Sequence, residues 1–333
     1  RYREAPYPDL VSRGGEDPAL EAAARRDVET LRQLSELDCG QLTAAMGQHL
    51  PQEFQPVLEA LPRWQTGAPF TFQSLTDFYR VHGAGRFAQY RAFLWVDGAL
   101  VPVAEPDCPQ EEEMLGYARQ REQVIANTRA LLEGKPANNV LLYGDAGTGK
   151  SSAIKAIANA FADQGLRLVE VKKNQLYQIP DLMDKLAANP LKFILFIDDL
   201  SFTANDDNFA ALKAILEGSV GGRARNIAVY ATSNRRHLIK ETLSDRTGDD
   251  IHEADTRQEL MSLSARFGLT VTFQRPEKAR FEVILTELAK QHGIEMPHDE
   301  LLTKAEAFAI RAGGRSPRVA KQFIEQCAAG VQK

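Results

Sequence analysis

Gly144-Asp-Ala-Gly-Thr-Gly-Lys150-Ser151 stands directly behind the apolar run Val140-Leu-Leu-Tyr143 and directly ahead of the helix-forming stretch Ser152 to Ala162. Strand, glycine turn and helix form the context in which the pattern G-x-x-x-x-G-K-[ST] makes physical sense. Gly144, Gly147 and Gly149 allow backbone angles closed to other residues, so that successive N–H groups can turn inward on phosphate oxygens. A helix beginning at that point adds the favourable end of its dipole. Lys150 supplies a point charge for the β- and γ-phosphates, and Ser151 a hydroxyl ligand for Mg²⁺. Asp145, Ala146, Thr148 and Ser152 complete the cradle. The chain is therefore expected to bind a nucleoside triphosphate.

Outward from this loop, strand and helix patterns alternate. Strands are expected at 140–143, 167–172, 193–197, 227–231 and 269–273, with helices at 151–164, 181–188, 208–217 and 253–265 between them. That alternation predicts a parallel α/β sheet with nucleotide at the carboxyl ends of its strands. Ahead of it, Gln110 to Gly134 reads as one amphipathic helix with acids in its first turn. After Pro276 strand patterns stop, and helices near 277–292, 298–311 and 317–329 predict a small all-α lid.

Two strand ends carry polar chemistry. Phe193-Ile-Leu-Phe-Ile-Asp198-Asp199 is a buried parallel strand that delivers two carboxylates, the Walker B position of a P-loop protein. Asp198 is expected to hold Mg²⁺, largely through water, and Asp199 to orient or deprotonate the attacking water. Ile227-Ala-Val-Tyr-Ala-Thr-Ser-Asn234 places an amide where it can hydrogen-bond the γ-phosphate or that water. The side-chain directions of Thr232 and Ser233 are left open.

Bulk properties bound the rest. At 333 residues, two or three domains are the natural expectation. Hydrophobic and charged contents of 44% and 26% are those of an ordinary globular protein. No apolar run approaches the roughly 18 residues of a membrane helix, so no membrane role is expected. Cys39, Cys108 and Cys327 are far apart and lack metal-ligand spacing, which points to a reducing, cytoplasmic setting. The chain opens on Arg1 rather than Met, so the numbering is expected to start inside a longer chain or after a removed tag. The net charge of −5 lies wholly within residues 1–110, and the remainder is balanced. An overall basic footprint for nucleic acid is absent.

The order GDAGTGKS, FIDD, ATSN, then Leu263-Ser-Ala-Arg266-Phe-Gly-Leu and Arg315-Ser-Pro-Arg318-Val resembles the AAA+ ATPases. The runs LGYARQREQVIANTRALLEG, DDLSF, LKAILEG, SLSARFGL and GGRSPRVAKQF resemble more closely an uncharacterised bacterial family of AAA+ type that carries a domain-of-unknown-function label. The resemblance implies Walker A, Walker B and sensor 1 motifs, with Arg266 as an arginine finger and Arg318 as sensor 2. Arg246 and Arg257 stand as alternatives to the first, and Arg315 to the second. It implies ATP or ADP with Mg²⁺, and self-assembly into a ring, with a hexamer favoured. An adenine pocket is expected between the linker helix and the lid, with Leu115, Gly116 and Tyr117 as candidates. Two departures stand out. Asp199 replaces the Glu usual after the Walker B Asp, as in initiators and helicase loaders, and Ala265 precedes the finger where relatives carry a polar or acidic residue.

The expected fold is thus a P-loop NTPase α/β core (residues 109–275) with a C-terminal three-helix lid (276–333), preceded by a mostly helical N-terminal domain (1–108). That domain shows helical spacing over 19–37 and 40–60, and a hairpin of Tyr90–Val96 with Leu100–Val103 turning at Asp97-Gly98. The HGAG tetrad at 82–85 reads as a loop, and His82 as structural or solvated. Tyr177 falls where ring remodellers carry a pore aromatic, although a short buried connection is the favoured reading. The basic run Arg223, Arg225, Arg235, Arg236, His237 and Lys240 is read as a ring interface ahead of a nucleic-acid patch, and Asp245–Asp255 as a solvated loop. The expected function is ATP-driven remodelling or gating of a macromolecular client, bound through the N-terminal domain directly or by an adaptor. The alternatives are a DNA-associated loader and a slow nucleotide-gated scaffold.

Overall fold

The computed structural model describes residues 6–36, 38–60, 70–109, 114–200, 211–213, 215–216, 224–234 and 265–331. The chain divides into two compact units, Arg1–Ala88 and Gln89–Lys333.

The first unit is helical. Asp17 begins α2 (Pro18–Ser35) by accepting hydrogen bonds from the N–H groups of Ala19 and Leu20, with proline at the first helical position. The helical spacing expected over 40–60 is taken up by α3 (Cys39–Gly47), a 3₁₀ turn (Gln52–Phe54) and α4 (Gln55–Glu59). Pro51 and Pro56 lack the N–H that a continuous ladder needs. Two helices of seven residues or more are not expected from the sequence, α1 (Pro6–Ser12) and α5 (Phe72–His82). The second opens on a capping box between Thr71 and Ser74. Tyr7 of α1 joins them: its hydroxyl lies 3.0 Å from Thr76 Oγ1 and its ring 5.3 Å from that of Phe72. At the end of α5 the His82 ring packs on Phe78, 4.5 Å away, as a structural histidine does. The short α6 (Arg86–Gln89) follows.

The second unit holds β1 (Ala92–Val96), β2 (Ala99–Val103), α7 (Ala118–Leu132), β3 (Val140–Gly144), α8 (Lys150–Ala160), β4 (Leu166–Glu170) and α9 (Ile179–Ala187). It continues with β5 (Lys192–Ile197), β6 (Ile227–Asn234), β7 (Leu269–Phe273), α10 (Lys278–Gln291), α11 (His298–Arg311) and α12 (Pro317–Ala328). One seven-stranded sheet runs β2-β1-β4-β5-β6-β3-β7. Every neighbouring pair is parallel except β1–β2. The P-loop strand β3 lies between β6 and β7, so the chain order reverses beside it and opens a crevice at the strands' carboxyl ends. This is a P-loop NTPase sheet, as the sequence predicted. The central strands are buried on both faces: Phe193 to Ile197 of β5 are wholly inaccessible.

The boundary expected at 108/109 is corrected. The hairpin turns at Asp97 (φ 48°) and Gly98 (φ 77°), and β1 then pairs with β4 in the register Ala92↔Leu168. Phe93 and Trp95, each 1% exposed, belong to the core of the α/β unit, and the pairing covers backbone groups of β4 that an edge would leave open. The linker helix is also shorter than expected. Gly116 (φ 76°) and Tyr117 (φ 54°) take left-handed conformations, so α7 begins only at Ala118. The acids expected in its first turn lie outside the described residues, as do most of the expected helices at 208–217 and 253–265. The lid helices α10, α11 and α12 match their expected spans and close around Phe281, Leu285, Ala305 and Phe323. Among the described residues no helix is long and apolar enough to cross a membrane.

Candidate nucleotide-binding site

Parallel register brings the strand-end residues together. Gly144 is the partner of Asn234 across β3–β6, and Ile197 of Ala231 across β5–β6, which sets Asp198 beside Thr232. The P-loop leaves β3 under tight constraint. Gly144 has φ 146°, and a Cβ there would stand 2.0 Å from the Phe273 carbonyl oxygen, so no side chain fits without moving β7. Gly149 (φ 89°) is the N-cap of α8 and offers no side chain to cap its first turn. The helix's leading N–H groups therefore face the loop, an arrangement suited to an anion.

Lys150 is 6% exposed and its ammonium spends all three donors. They go to the carbonyls of Gly144 (3.1 Å) and Asp145 (2.7 Å) and to Asn234 Oδ1 (2.9 Å). Burial pushes its pKa down to about 8, against the opposing pull of the Asp145, Asp198 and Asp199 carboxylates. Asn234 turns its other end to Asp199: Nδ2 donates to Oδ1 at 2.8 Å. Lysine, amide and carboxylate thus form one chain. A second chain lies alongside, in which Ser151 Oγ donates to Asp198 Oδ1 at 2.6 Å. A hydroxyl and a carboxylate converging beside a phosphate cradle are the hard oxygen donors that Mg²⁺ takes together with phosphate. The residues present fit that ion.

Asp199 has φ 50°, a conformation that asparagine and aspartate adopt several-fold more readily than other side chains. This is a physical reason for Asp where the AAA+ pattern has Glu. Asp145 accepts the backbone N–H of Arg275 at 2.9 Å through its carboxylate. Thr148 caps the loop internally, donating to the Asp145 carbonyl at 2.8 Å. Ala146 is exposed at its tip.

Behind the loop lies a cavity of about 250 Å³. Leu115 and Tyr117 from the linker, Gly147, Thr148 and Gly149 from the loop, Ser152 from α8 and Arg318 from the lid line it. Tyr117 stacks on Phe273 at 5.1 Å and donates its hydroxyl to the Gln274 carbonyl at 2.6 Å. Burial raises its pKa to about 12, so it remains a neutral donor. Gly116 sits against Ile284. The lid closes directly on the loop: the Arg318 N–H donates to the Gly147 carbonyl at 3.2 Å. Arg315, the alternative to Arg318, is instead paired with Glu306, Nε to Oε2 at 2.9 Å.

Other residues contribute to which the sequence assigns no role. Met114, Phe273, Ile284 and Lys321 also line the cavity, and Arg121 donates through Nη1 to the Gly116 carbonyl. Thr232 donates to Asp198. Only the last left a usable signal, since residues 232 and 234 of one strand face the same way.

Arg266 is half-buried on a short helical turn, ahead of the wholly buried Phe267 and of Gly268 (φ 74°). It precedes β7, whereas the P-loop follows β3, and β3 and β7 run parallel. A five-residue strand spans roughly 16 Å, so Arg266 and the P-loop of the same chain lie toward opposite ends of the sheet. Tyr177 is 66% exposed at the end of a 3₁₀ turn (Lys173–Gln178), which corrects the expectation of a buried connection there; Leu176 beside it is buried. Gln178 holds it, donating to the Tyr177 hydroxyl at 2.8 Å while accepting Trp95 Nε1 at 2.8 Å. Arg246, Arg257, Arg223, Arg235, Arg236, His237, Lys240 and the segment 245–255 lie outside the described residues; Arg225 is exposed.

Among solved structures, the chain is similar to the Thermotoga maritima RuvB Holliday junction branch migration motor, at 16% identity with a TM-score of 0.43. A variant of the same protein gives 18% identity and a TM-score of 0.44. Each likeness covers 65% of this chain, which spans 63% of the length of those chains. Residues 88–331 match a protein family described as "Protein of unknown function (DUF815)". The match takes in every strand of the sheet and all three lid helices, and the chain belongs to this family.

Proposed function

We propose that the protein is a Mg²⁺-dependent ATPase of the AAA+ type. The observation that carries this reading is the continuous chain Lys150–Asn234–Asp199 beside the Ser151–Asp198 pair, all at the mouth of the P-loop. The cavity behind the loop is of a size and apolarity that suit adenine and ribose. Lys150 exchanges its own loop carbonyls for phosphate oxygens. Ser151 and Asp198 hold Mg²⁺, which when bound neutralises charge on the β- and γ-phosphates. Asp199 accepts a proton from the attacking water or orients it, and Asn234 fixes that carboxylate relative to the γ-phosphate. Arg318 contacts the phosphates from the lid and couples lid angle to nucleotide.

Arg266 acts on a neighbouring subunit, consistent with its position toward the far end of the sheet from its own P-loop. This makes a ring of copies, favoured as a hexamer, the working assembly. The client-binding surface is assigned to the N-terminal unit, where Met46 (48%), Phe54 (44%), Val57 (59%) and Phe78 (42%) are exposed. The client is a protein, reached directly or through an adaptor, and the setting is cytoplasmic.

ATP hydrolysis per protomer, measured over a wide range of protein concentration, tests this reading. Specific activity is expected to climb with concentration, and Arg266→Ala to lower it by roughly 10³-fold, the usual scale of a lost arginine finger. Flat activity that the substitution leaves unchanged would remove the shared active site.

A further inference from the structure

We infer that Thr232 is a positioning residue of this site: its hydroxyl orients Asp198 for the metal and holds Asp199 in its left-handed turn. The inference rests on the reading that Ser151 and Asp198 hold Mg²⁺. Thr232 lies on β6, is 2% exposed, and stands beside the end of β5 through the Ile197↔Ala231 register. Its Oγ1 is 2.5 Å from Asp198 Oδ1 and 3.0 Å from the backbone nitrogen of Asp199. The direction of both bonds is fixed by chemistry. A carboxylate only accepts and an N–H only donates, so the single hydroxyl proton goes to Asp198 and a lone pair receives Asp199.

One side chain thereby grips both carboxylate residues of the site. Asp198 Oδ1 collects donors from Thr232, from Ser151 and from the Asp199 N–H at 3.1 Å. Of these, the Ser151 hydroxyl would also ligate the metal through a lone pair, whereas Thr232 is buried and serves only Asp198 and the Asp199 turn. The same strand staples the turn again through its backbone: the Leu200 N–H donates to the Thr232 carbonyl at 2.7 Å, and Ser233 Oγ to the Leu200 carbonyl at 2.6 Å. Ser233 thus serves the turn's backbone, and Thr232 its carboxylates. A residue needed only to fill this space could be valine, which matches threonine in shape and suits a strand equally well. A hydroxyl buried there is costly unless paired, and both of its partners belong to the reaction.

The test compares Thr232→Val, Thr232→Ser and the unsubstituted protein. ADP affinity is measured by calorimetry with EDTA and with Mg²⁺, and the Mg²⁺ concentration for half-maximal hydrolysis is measured beside it. In the valine protein, affinity in EDTA should be unchanged, while the Mg²⁺-dependent gain shrinks and the half-saturating Mg²⁺ rises, each by about tenfold or more. Serine should restore most of both. A valine protein with the unsubstituted Mg²⁺ dependence overturns the inference, as does an equal loss in EDTA and in Mg²⁺, the mark of a merely structural role. Should valine unfold the chain, Thr232→Cys, a small and weak donor, carries the same comparison. If the unsubstituted protein neither gains affinity from Mg²⁺ nor hydrolyses ATP, the ATPase reading itself fails and takes this inference with it.

Discussion

Lys150→Ala should lose nucleotide affinity by roughly two orders of magnitude or more, the largest binding effect expected of any single substitution here. The ammonium is buried, and all three of its donors converge on the loop and on Asn234. Truncating one partner of a buried, hydrogen-bonded charge pair costs about 2–5 kcal/mol, and each 1.4 kcal/mol is tenfold. Equilibrium binding of a fluorescent ATP analogue measures it; affinity within a few-fold of the unsubstituted protein would place the phosphates elsewhere.

The depressed pKa of Lys150 adds a pH signature. Its folded value is about 8, below the ordinary 10.5, so between those limits the unfolded chain binds the extra proton. Stability from this group therefore rises with pH through that window and is level outside it. Nucleotide affinity runs the other way. Phosphate favours the charged lysine, so binding above pH 8 takes up a proton and weakens as pH climbs. Lys150→Ala should abolish both trends, which titration calorimetry in buffers of different ionisation enthalpy would reveal.

Asp199→Asn should lower hydrolysis by about 10²- to 10⁴-fold, the usual worth of a positioned base, while leaving ATP affinity near its original value. The substitution is conservative in every respect but one. Asparagine tolerates the left-handed conformation as aspartate does, and its carbonyl can still accept the Asn234 amide. What it lacks is a carboxylate lone pair basic enough to take a proton. Single-turnover hydrolysis with binding measured in parallel decides the matter: unimpaired turnover would assign the water to another residue.

Much of this architecture is legible in the chain because the P-loop anchors it locally. Gly144 to Ser151 needs glycine at set positions, so β3 and the start of α8 fall within a residue of expectation. Asp198, Asp199 and Asn234 follow from apolar runs ending in polar residues on strands buried on both faces. The departures have a common cause, which is long-range pairing. Nothing within residues 90–103 states that β1 will join β4, some seventy-five residues on, so local pattern alone places the hairpin in the wrong unit. Arg315 and Arg318 look alike in sequence, and only the fold shows that Glu306 engages the first. Gly116-Tyr117 hid inside an amphipathic pattern, because one left-handed turn barely disturbs the spacing of the apolar residues around it.

The joint between core and lid has a thermodynamic consequence. Asp145 receives the Arg275 N–H, the Arg275 guanidinium reaches the Gly313 carbonyl at 2.8 Å, Tyr117 holds Gln274, and Arg318 holds Gly147. Two of these contacts fasten the phosphate loop, at Asp145 and Gly147, and the other two fasten the connection between core and lid, at Gln274 and Arg275. Melting the lid alone would strip the loop of its supports, and melting the loop would release the lid. The α/β core and its helical appendage therefore unfold as one cooperative block, and a ligand gripping the loop protects helices that it never touches.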